Sequence, residues 1–387
     1  MVDHMEESTE PLTSKLQDLE RKSTIEEVYD TSVAKKRGYI LACIGITFVL
    51  FIAALSLGSV DIPFAETLKI IGHAIFPFID GSDNDTYTAI ILKSRLARTL
   101  MCIITGISLG VAGAVMQGIL RNPLVSPFTL GVSSAAAFGA VVGIVIWPLL
   151  FGTATSYIYI FDNIFYTRNL LVMLFAFLVG MGSIFFVLLL ARRSDVSKST
   201  VILAGVIISY LFQAGVSFGK YLSDDEALSE ITFWLLGSMN GITISTVIIV
   251  LPIVILCLIA MEYIAPKINV MGAGDDVAKS LGVDVVKTRN YGLLLATLIT
   301  CVCISFTGVI GFIGLMAPHI SRMIIGNDTR YLLPASAVTG AIVLTISDIL
   351  SRTLFSPEVL PIGIFMYLFG GIFFIWLIGR KRKEVVM

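Results

Sequence analysis

The sequence predicts an all-α, polytopic membrane protein with about ten transmembrane helices. Three observations carry that prediction. The forty residues between Arg121 and Asp162 contain no Asp, Glu, Lys or Arg, whereas a bilayer core needs only about 20 apolar residues per helix. Eight further stretches, nearly as clean and long enough to span, recur along the rest of the chain. Charged residues make up 14% and hydrophobic residues 56%, with a mean hydropathy of +0.91; ordinary globular chains carry about 25% charged residues. Function is therefore to be sought in movement across, or chemistry within, a membrane.

Residues 1–37 are acidic, contain Ser and Thr, and lack apolar runs. They are expected to form a mobile cytoplasmic tail, with a short amphipathic helix through Leu12, Leu16 and Leu19 as the alternative. They also lack the basic start and adjoining apolar run of a secretory signal. Ten segments follow within a transmembrane domain at 38–381: Gly38–Gly58, Ala97–Gln117, Leu124–Trp147, Leu170–Ala191, Thr200–Leu222, Ile242–Tyr263, Asn290–Gly308, Gly311–Ile325, Leu332–Leu354 and Val359–Gly379. Residues 382–387 close the chain as a cytoplasmic end. The third and eighth segments are rich in Gly and Pro, which predicts bent or partly spanning backbone. Such backbone survives at membrane depth where protein or a water-lined cavity satisfies it. Gly106 and Gly110, with Gly113 and Ala114, and then Gly139 and Gly143, place small residues at helix-packing spacing. Helices in lipid gain from close backbone approach, so a compact bundle is expected.

Orientation follows from the basic residues. With the amino end inside, the inner loops hold Lys35, Lys36, Arg37, Arg121, Arg192, Arg193, Lys198, Lys267, Lys279, Lys287, Arg289, Arg322, Arg330 and the run Arg380 to Lys383. The outer loops hold Lys69, Lys93, Arg95, Arg98, Arg168, Lys220 and Arg352. The positive-inside rule then puts both termini in the cytoplasm of a multi-pass cell-membrane protein.

Few residues carry recognisable chemistry. Cys43, Cys102, Cys257, Cys301 and Cys303 lie in apolar segments without metal-ligand spacing, and read as packing residues. No G-x-x-x-x-G-K-[ST], HExxH or GxSxG motif occurs, so no cofactor is expected on this chain and any ATP must be bound by another. His319, after Pro318, reads as helix packing, with a proton relay as the alternative. Asp348 and Arg352 share a helix face at i,i+4 and can neutralise each other; alternatively Arg352 offers its charge to a partner's carboxylate at the outer surface. Arg95, in Arg95-Leu96-Ala97-Arg98, is a second candidate for docking. The loop Gly274–Lys287 reads as two short helices broken at Gly282. Asp275 and Asp276 suit a helix start, and Val277, Ala278 and Leu281 share a face. Its acidic start argues against anionic lipid, so the apolar face is expected to meet a soluble protein.

From about Gly38 to the carboxyl end, the segments resemble the FecCD-type, or type II, permease subunits of bacterial and archaeal ABC importers for iron–siderophores, haem and vitamin B12. The motifs are Arg95-Leu96-Ala97-Arg98, Gly113-Ala114-Val115-Met116-Gln117-Gly118, Arg121-Asn122-Pro123-Leu124, Leu130-Gly131-Val132-Ser133-Ser134, Leu203-Ala204-Gly205, Trp234-Leu235-Leu236-Gly237-Ser238, the Gly311–His319 run, Asp348 to Arg352, and Leu360-Pro361-Ile362-Gly363. The resemblance implies ten helices per subunit, a homodimer, two cytoplasmic ATP-binding subunits and an extracytoplasmic substrate-binding protein. It implies coupling to the ATPase through residues 274–289, and docking of the binding protein on Arg95 and Arg352. It also implies a cytoplasmic gate at Asn122, Leu124, Ser197 and Ser199, although Lys198 stands where that family has a small hydroxyl residue. The segment Phe151–Tyr166 has no match in the family pattern.

The resulting expectation is a non-enzymatic permease in the lipid bilayer, without nucleic-acid partners. It would pass an iron(III)–siderophore-type chelate at the expense of ATP hydrolysed elsewhere; cobalamin, haem or an oxyanion is the alternative cargo. An ion-coupled secondary transporter would need carboxylates or histidines along the membrane midplane, and only Asp348 is offered. A membrane enzyme would need a convergent catalytic set, and the sequence shows none.

Overall fold

The computed structural model describes residues 10–76, 78, 81, 82, 84–151, 157–160, 163–192 and 198–384. Its helices in chain order are α1 (Glu10–Ser56), α2 (Phe64–Ile75), α3 (Asp85–Ala89), α4 (Leu96–Leu120), α5 (Val132–Phe151), α6 (Thr167–Arg192), α7 (Lys198–Leu222), α8 (Asp225–Leu236), α9 (Ile244–Gly272), α10 (Asp275–Ser280), α11 (Val285–Thr307), α12 (Ile313–Ile325), α13 (Thr329–Thr353) and α14 (Ile362–Glu384). Among the described residues eight helices are long and apolar enough to cross a membrane. Two shorter apolar helices, Val132–Trp147 and Ile313–Ile325, bring the set to the ten segments expected. This is a multi-pass helical membrane protein.

Several boundaries differ from the sequence expectation, each for a physical reason. The second segment begins at Asp85, because a π-helical turn, Ile90–Arg95, joins α3 to α4 without a break. The third segment starts as turns: Arg121 is left-handed at φ 49°, and Asn122 Oδ1 accepts from Leu124 N at 2.9 Å. Helix therefore begins only at Val132, after Pro123 and Pro127. The sixth segment runs on to Gly272 with Pro252 and Pro266 inside it. Helix α1 extends upstream to Glu10, through much of the span expected to be a mobile tail, while residues 1–9 lie outside the described residues. The unmatched segment holds a small departure from an all-helical chain. Strands β1 (Tyr157–Ile160) and β2 (Asn163–Tyr166) pair antiparallel, Tyr157 opposite Tyr166 and Ile160 opposite Asn163. The first interhelical connection is also structured: α2 turns Ile70 inward, and Ile70 joins Ile62 and Ile91 in a small core of its own.

The bundle is built around α4. Within its apolar window 83% of residues are buried, against 22% for α7, and α4 packs on α9, α11, α12 and α13. Its glycines make this possible. A Cβ at Gly106 would stand 2.5 Å from the Gly340 carbonyl oxygen of α13, and one at Gly113 would overlap the Gly314 carbonyl of α12. Backbone-to-backbone approach of this kind replaces the hydrophobic drive that lipid cannot supply. His319 packs edge-on against Phe373 and Phe374 of α14.

The bundle has two ends. At one, α10 packs on α9 and α11 and is tied to the α4 C-cap, and the ends of α4, α9, α12 and α13 converge. At the other, the last turns of α1 and α13 meet the first turn of α4, with Asn240, just ahead of α9, beside it.

Candidate functional sites at the two ends of the bundle

At the end opposite α10, four charged side chains are buried together. Asp348 is fully buried, and Arg95, Arg98 and Arg352 are at most 8% exposed. Arg98 Nε donates to Asp348 Oδ1 at 2.7 Å, and Arg98 Nη1 to Asn240 Oδ1 at 2.5 Å. Arg352 Nη2 lies 2.9 Å from Asp348 Oδ2, one helical turn earlier as the sequence predicts. That oxygen has no aligned hydrogen bond, so the contact is held by charge attraction rather than a directed bond. Arg352 instead directs its hydrogens at the carbonyls of Ala54 and Leu57, both at 3.0 Å. Arg95 donates to the carbonyls of Leu55 at 2.9 Å and Ser56 at 2.5 Å, and also to that of Val60. The last carbonyls of a helix lack intrahelical partners and carry the negative end of its dipole. Two guanidinium groups therefore clasp the end of α1.

This corrects the expectation that Arg95 and Arg352 stand at the outer surface as available docking charges. Both side chains turn inward because α1 ends beside them with unpaired carbonyls. Sequence reasoning named the Asp348–Arg352 pair but not Arg98, whose partner lies 250 residues away; its one signal was its place in the Arg95–Arg98 motif.

At the other end, α10 projects as a single turn-and-a-half of helix. Gly274, at φ 132°, and Gly282, at φ 80°, bracket it in backbone conformations that side chains disfavour. Ala278 is fully buried, while Val277 is 47% and Leu281 67% exposed. The three residues therefore do not share one buried face: Ala278 seats the helix, and the two larger side chains remain uncovered. The expected second short helix is instead the start of α11. Its N-cap is Asp284, whose Oδ1 accepts from Lys287 N at 3.0 Å. That backbone hydrogen bond, followed by the Lys287 side chain, holds the Asp284 carboxyl below its ordinary range. Asp275 ties α10 to the bundle, accepting from Arg121 of the α4 C-cap at 3.0 Å and from Arg289 of α11 at 2.7 Å. Asp276 faces solvent beside Lys279.

The expected gate residues divide. Asn122 forms the turn described above, and Leu124 is 61% exposed on that turn. Ser199 is exposed in the first turn of α7; Ser197 lies outside the described residues. Next to the turn a cavity of about 500 Å³ opens between the ends of α4, α9, α12 and α13. A second cavity, of about 380 Å³, lies at the opposite end, lined by Glu230, Trp234, Asn240 and Thr243 among others. Glu230 there is paired with Arg168. Among the described residues no group of three or more His, Cys, Asp or Glu is placed to hold a metal ion.

Comparison with known proteins agrees with this architecture. A family model described as the FecCD transport family matches residues 46–380. A protein of Methanocaldococcus jannaschii, named as a candidate ABC transporter permease, is 39% identical over 87% of this chain and 95% of its own length. The hemin transport system permease protein of Yersinia pestis is 36% identical over 78% of this chain and 87% of its own. A solved structure, described as an inward-facing conformation of a candidate metal-chelate type ABC transporter, superposes with a TM-score of 0.73 and 28% identity. It covers 88% of this chain and 98% of that one. These relatives are transport components rather than enzymes. The chain belongs to the FecCD transport family.

Proposed function

We propose that this chain is the membrane-spanning subunit of an ATP-driven importer that passes an iron(III)–siderophore-type chelate. In this reading it works as a homodimer, with both termini in the cytoplasm. Two cytoplasmic ATP-binding subunits sit against the α10 end, and an extracytoplasmic binding protein delivers cargo to the opposite end. The observation that carries the reading is α10 itself. It is a short helix with two exposed apolar side chains, anchored by one carboxylate to the arginines of two long helices. A push on Val277 and Leu281 is transmitted through Asp275 to the C-cap of α4 and the first turn of α11. Since α4 is the most buried span, its displacement moves the packed bundle as a body, the rigid-element motion by which packed interfaces switch. The Asn122–Leu124 turn follows α4 directly and is placed to open or close with it.

Support for the cargo is chemical class only: a relative named for hemin and a structural neighbour described as metal-chelate type. Cobalamin, haem or an oxyanion is the alternative cargo. Docking through Arg95 and Arg352 would require each guanidinium to exchange α1 carbonyls for a partner's carboxylates, so docking and the seating of α1 would be linked. An ion-coupled mechanism is disfavoured because Asp348, the one fully buried carboxylate among the described residues, lies at an end of the bundle and is flanked by two arginines.

The test is reconstitution of the permease with its ATP-binding subunits and binding protein in vesicles. Leu281→Asp is expected to leave assembly and basal ATP hydrolysis in place while uptake per ATP falls by about tenfold or more, the loss of one apolar contact of about 1.5–3 kcal/mol. Unchanged uptake per ATP in that variant removes the coupling role. Uphill uptake by the chain alone, without ATP, removes the importer assignment.

A further inference from the structure

The cavity at the α10 end holds a cation, Arg322, that the transport cycle proposed above does not use. Its wall includes Gln117 and Arg121 of α4, Asn269 of α9, Arg322 of α12, Asn327 and Thr329, with two arginines and no carboxylate among its lining residues. Around it, four cations share two carboxylates, and a fifth, Arg322, stands apart from both. Arg121 and Arg289 both lie on Asp275. Arg330 at 3.0 Å and Lys36 at 3.9 Å both lie on Asp328. Arg322 has neither: its Nη2 donates to Gln117 Oε1 at 2.9 Å, and among the described residues no carboxylate stands within ion-pair distance.

Gln117 is 2% exposed, and its Nε2 donates to the Gly314 carbonyl at 3.2 Å, which turns its amide oxygen toward Arg322. A buried neutral group thus holds the guanidinium at the cavity without neutralising it. Asn269 is fixed in the same way, accepting from Thr329 N and donating to Asp328, both at 2.7 Å. The site is therefore preorganised on four helix ends. Its volume falls within the roughly 300–1,000 Å³ of small-ligand sites. A half-buried guanidinium without a counter-charge, beside a second one at the mouth, is the arrangement that recognises tetrahedral oxyanions, because the planar fork donates two parallel hydrogen bonds.

We propose that this cavity binds a phosphate-bearing anion, with Arg322 as its principal charge partner and Arg121 as the second. The helix ends that form the wall place it at the level where a bilayer's headgroups meet water. Both an anionic-lipid headgroup and free phosphate can supply that chemistry there. The inference rests on the cavity alone and is independent of cargo, ATPase and binding protein.

The test uses the full-length protein in two arms. In the first, phosphatidylglycerol is titrated into phosphatidylcholine nanodiscs holding the protein, and retained lipid is counted by native mass spectrometry. In the second, inorganic phosphate is titrated calorimetrically. Arg322→Gln is expected to weaken binding at least about tenfold in whichever arm shows it, the loss of a charge-assisted contact. Arg322→Lys should fall between wild type and Arg322→Gln, because the charge remains while the two-bond fork is lost. Lys279→Gln, at the same end but outside the cavity, should change nothing. Should Arg322→Gln fail to fold, Asn327→Asp places a carboxylate in the exposed part of the wall and is expected to weaken binding similarly. Binding in the lipid arm alone assigns a headgroup; binding in the phosphate arm alone assigns a free anion. No binding in either arm, or wild-type binding by both Arg322→Gln and Asn327→Asp, overturns the proposal.

Discussion

Asp348 is placed between two guanidinium groups at the end opposite α10, and its burial decides what each group is worth. Removing the carboxylate leaves Arg98 and Arg352 close together without a counter-charge, while Arg95 adds a third buried cation nearby. Breaking a buried pair by deleting one partner typically costs about 3–5 kcal/mol, since the stranded charge keeps its desolvation penalty. Asp348→Ala is therefore expected to lower stability by about that amount in a denaturant series in detergent micelles. A loss under about 1 kcal/mol would mean that Arg98 and Arg352 find water or carbonyls instead. Half of this site was legible in the sequence. The Asp348–Arg352 spacing of one helical turn announces its own pair. The Arg98–Asp348 contact does not, because it depends on α4 and α13 lying side by side. The inward turn of Arg95 and Arg352 was equally hidden, since nothing in their local pattern says where α1 will end.

At the scale of elements, the close crossing of α4 with α12 and α13 is the contact on which the others depend. Gly113 of α4 stands against the Gly314 carbonyl, so a methyl group there must push α12 away from α4. Because the obstruction is backbone rather than a flexible side chain, Gly113→Ala is expected to cost about 1–3 kcal/mol, the range for overpacking a tight site. Gly182→Ala, where nothing lies within 4 Å of the added atom, should be neutral or slightly stabilising through helix propensity. Equal thermal midpoints for the two variants would show that the crossing is loose. Long spans such as α9 and α13 were readable from uncharged length, and the Gly106–Gly110–Gly113 spacing announced a close packing face. Elements shaped by shorter or mixed patterns were not. Helix α2 has only twelve residues and buries one side on a three-isoleucine core. The π-helical turn before Leu96 leaves no compositional trace, and the β1–β2 hairpin lies within a segment that otherwise reads as apolar. Pro252 and Pro266 would ordinarily interrupt a helix, yet α9 passes through both.

For the whole molecule, the two ends handle charge differently. One buries its arginines on backbone carbonyls and a single carboxylate; the other spreads cations over Asp275 and Asp328 beside an open cavity. Asp328 joins elements that are far apart in sequence. It caps α13, accepts from Asn269 of α9, and pairs with Arg330 and with Lys36 of α1. Burial by itself would raise its carboxyl, but hydrogen bonds from Arg330 and Asn269 and the Arg330 charge outweigh burial and hold it below the ordinary value of 3.8. A depressed folded-state value means that folding favours the ionised form. The stabilisation is then complete above the ordinary aspartate range and is withdrawn as pH falls through the depressed value. The thermal midpoint in detergent should consequently drop on the acid side, over roughly pH 5 to pH 2, with part of that slope belonging to Asp328. Asp328→Asn keeps the cap geometry but cannot titrate. It is expected to start lower at neutral pH, through the lost ion pairs, and to show a shallower acid limb than wild type. Since Asp328 connects α1, α9 and α13, the change should appear in one cooperative transition rather than as early fraying of α13. An acid limb of unchanged slope in Asp328→Asn would assign the acid sensitivity to other carboxylates, Asp284 at the α11 N-cap first among them.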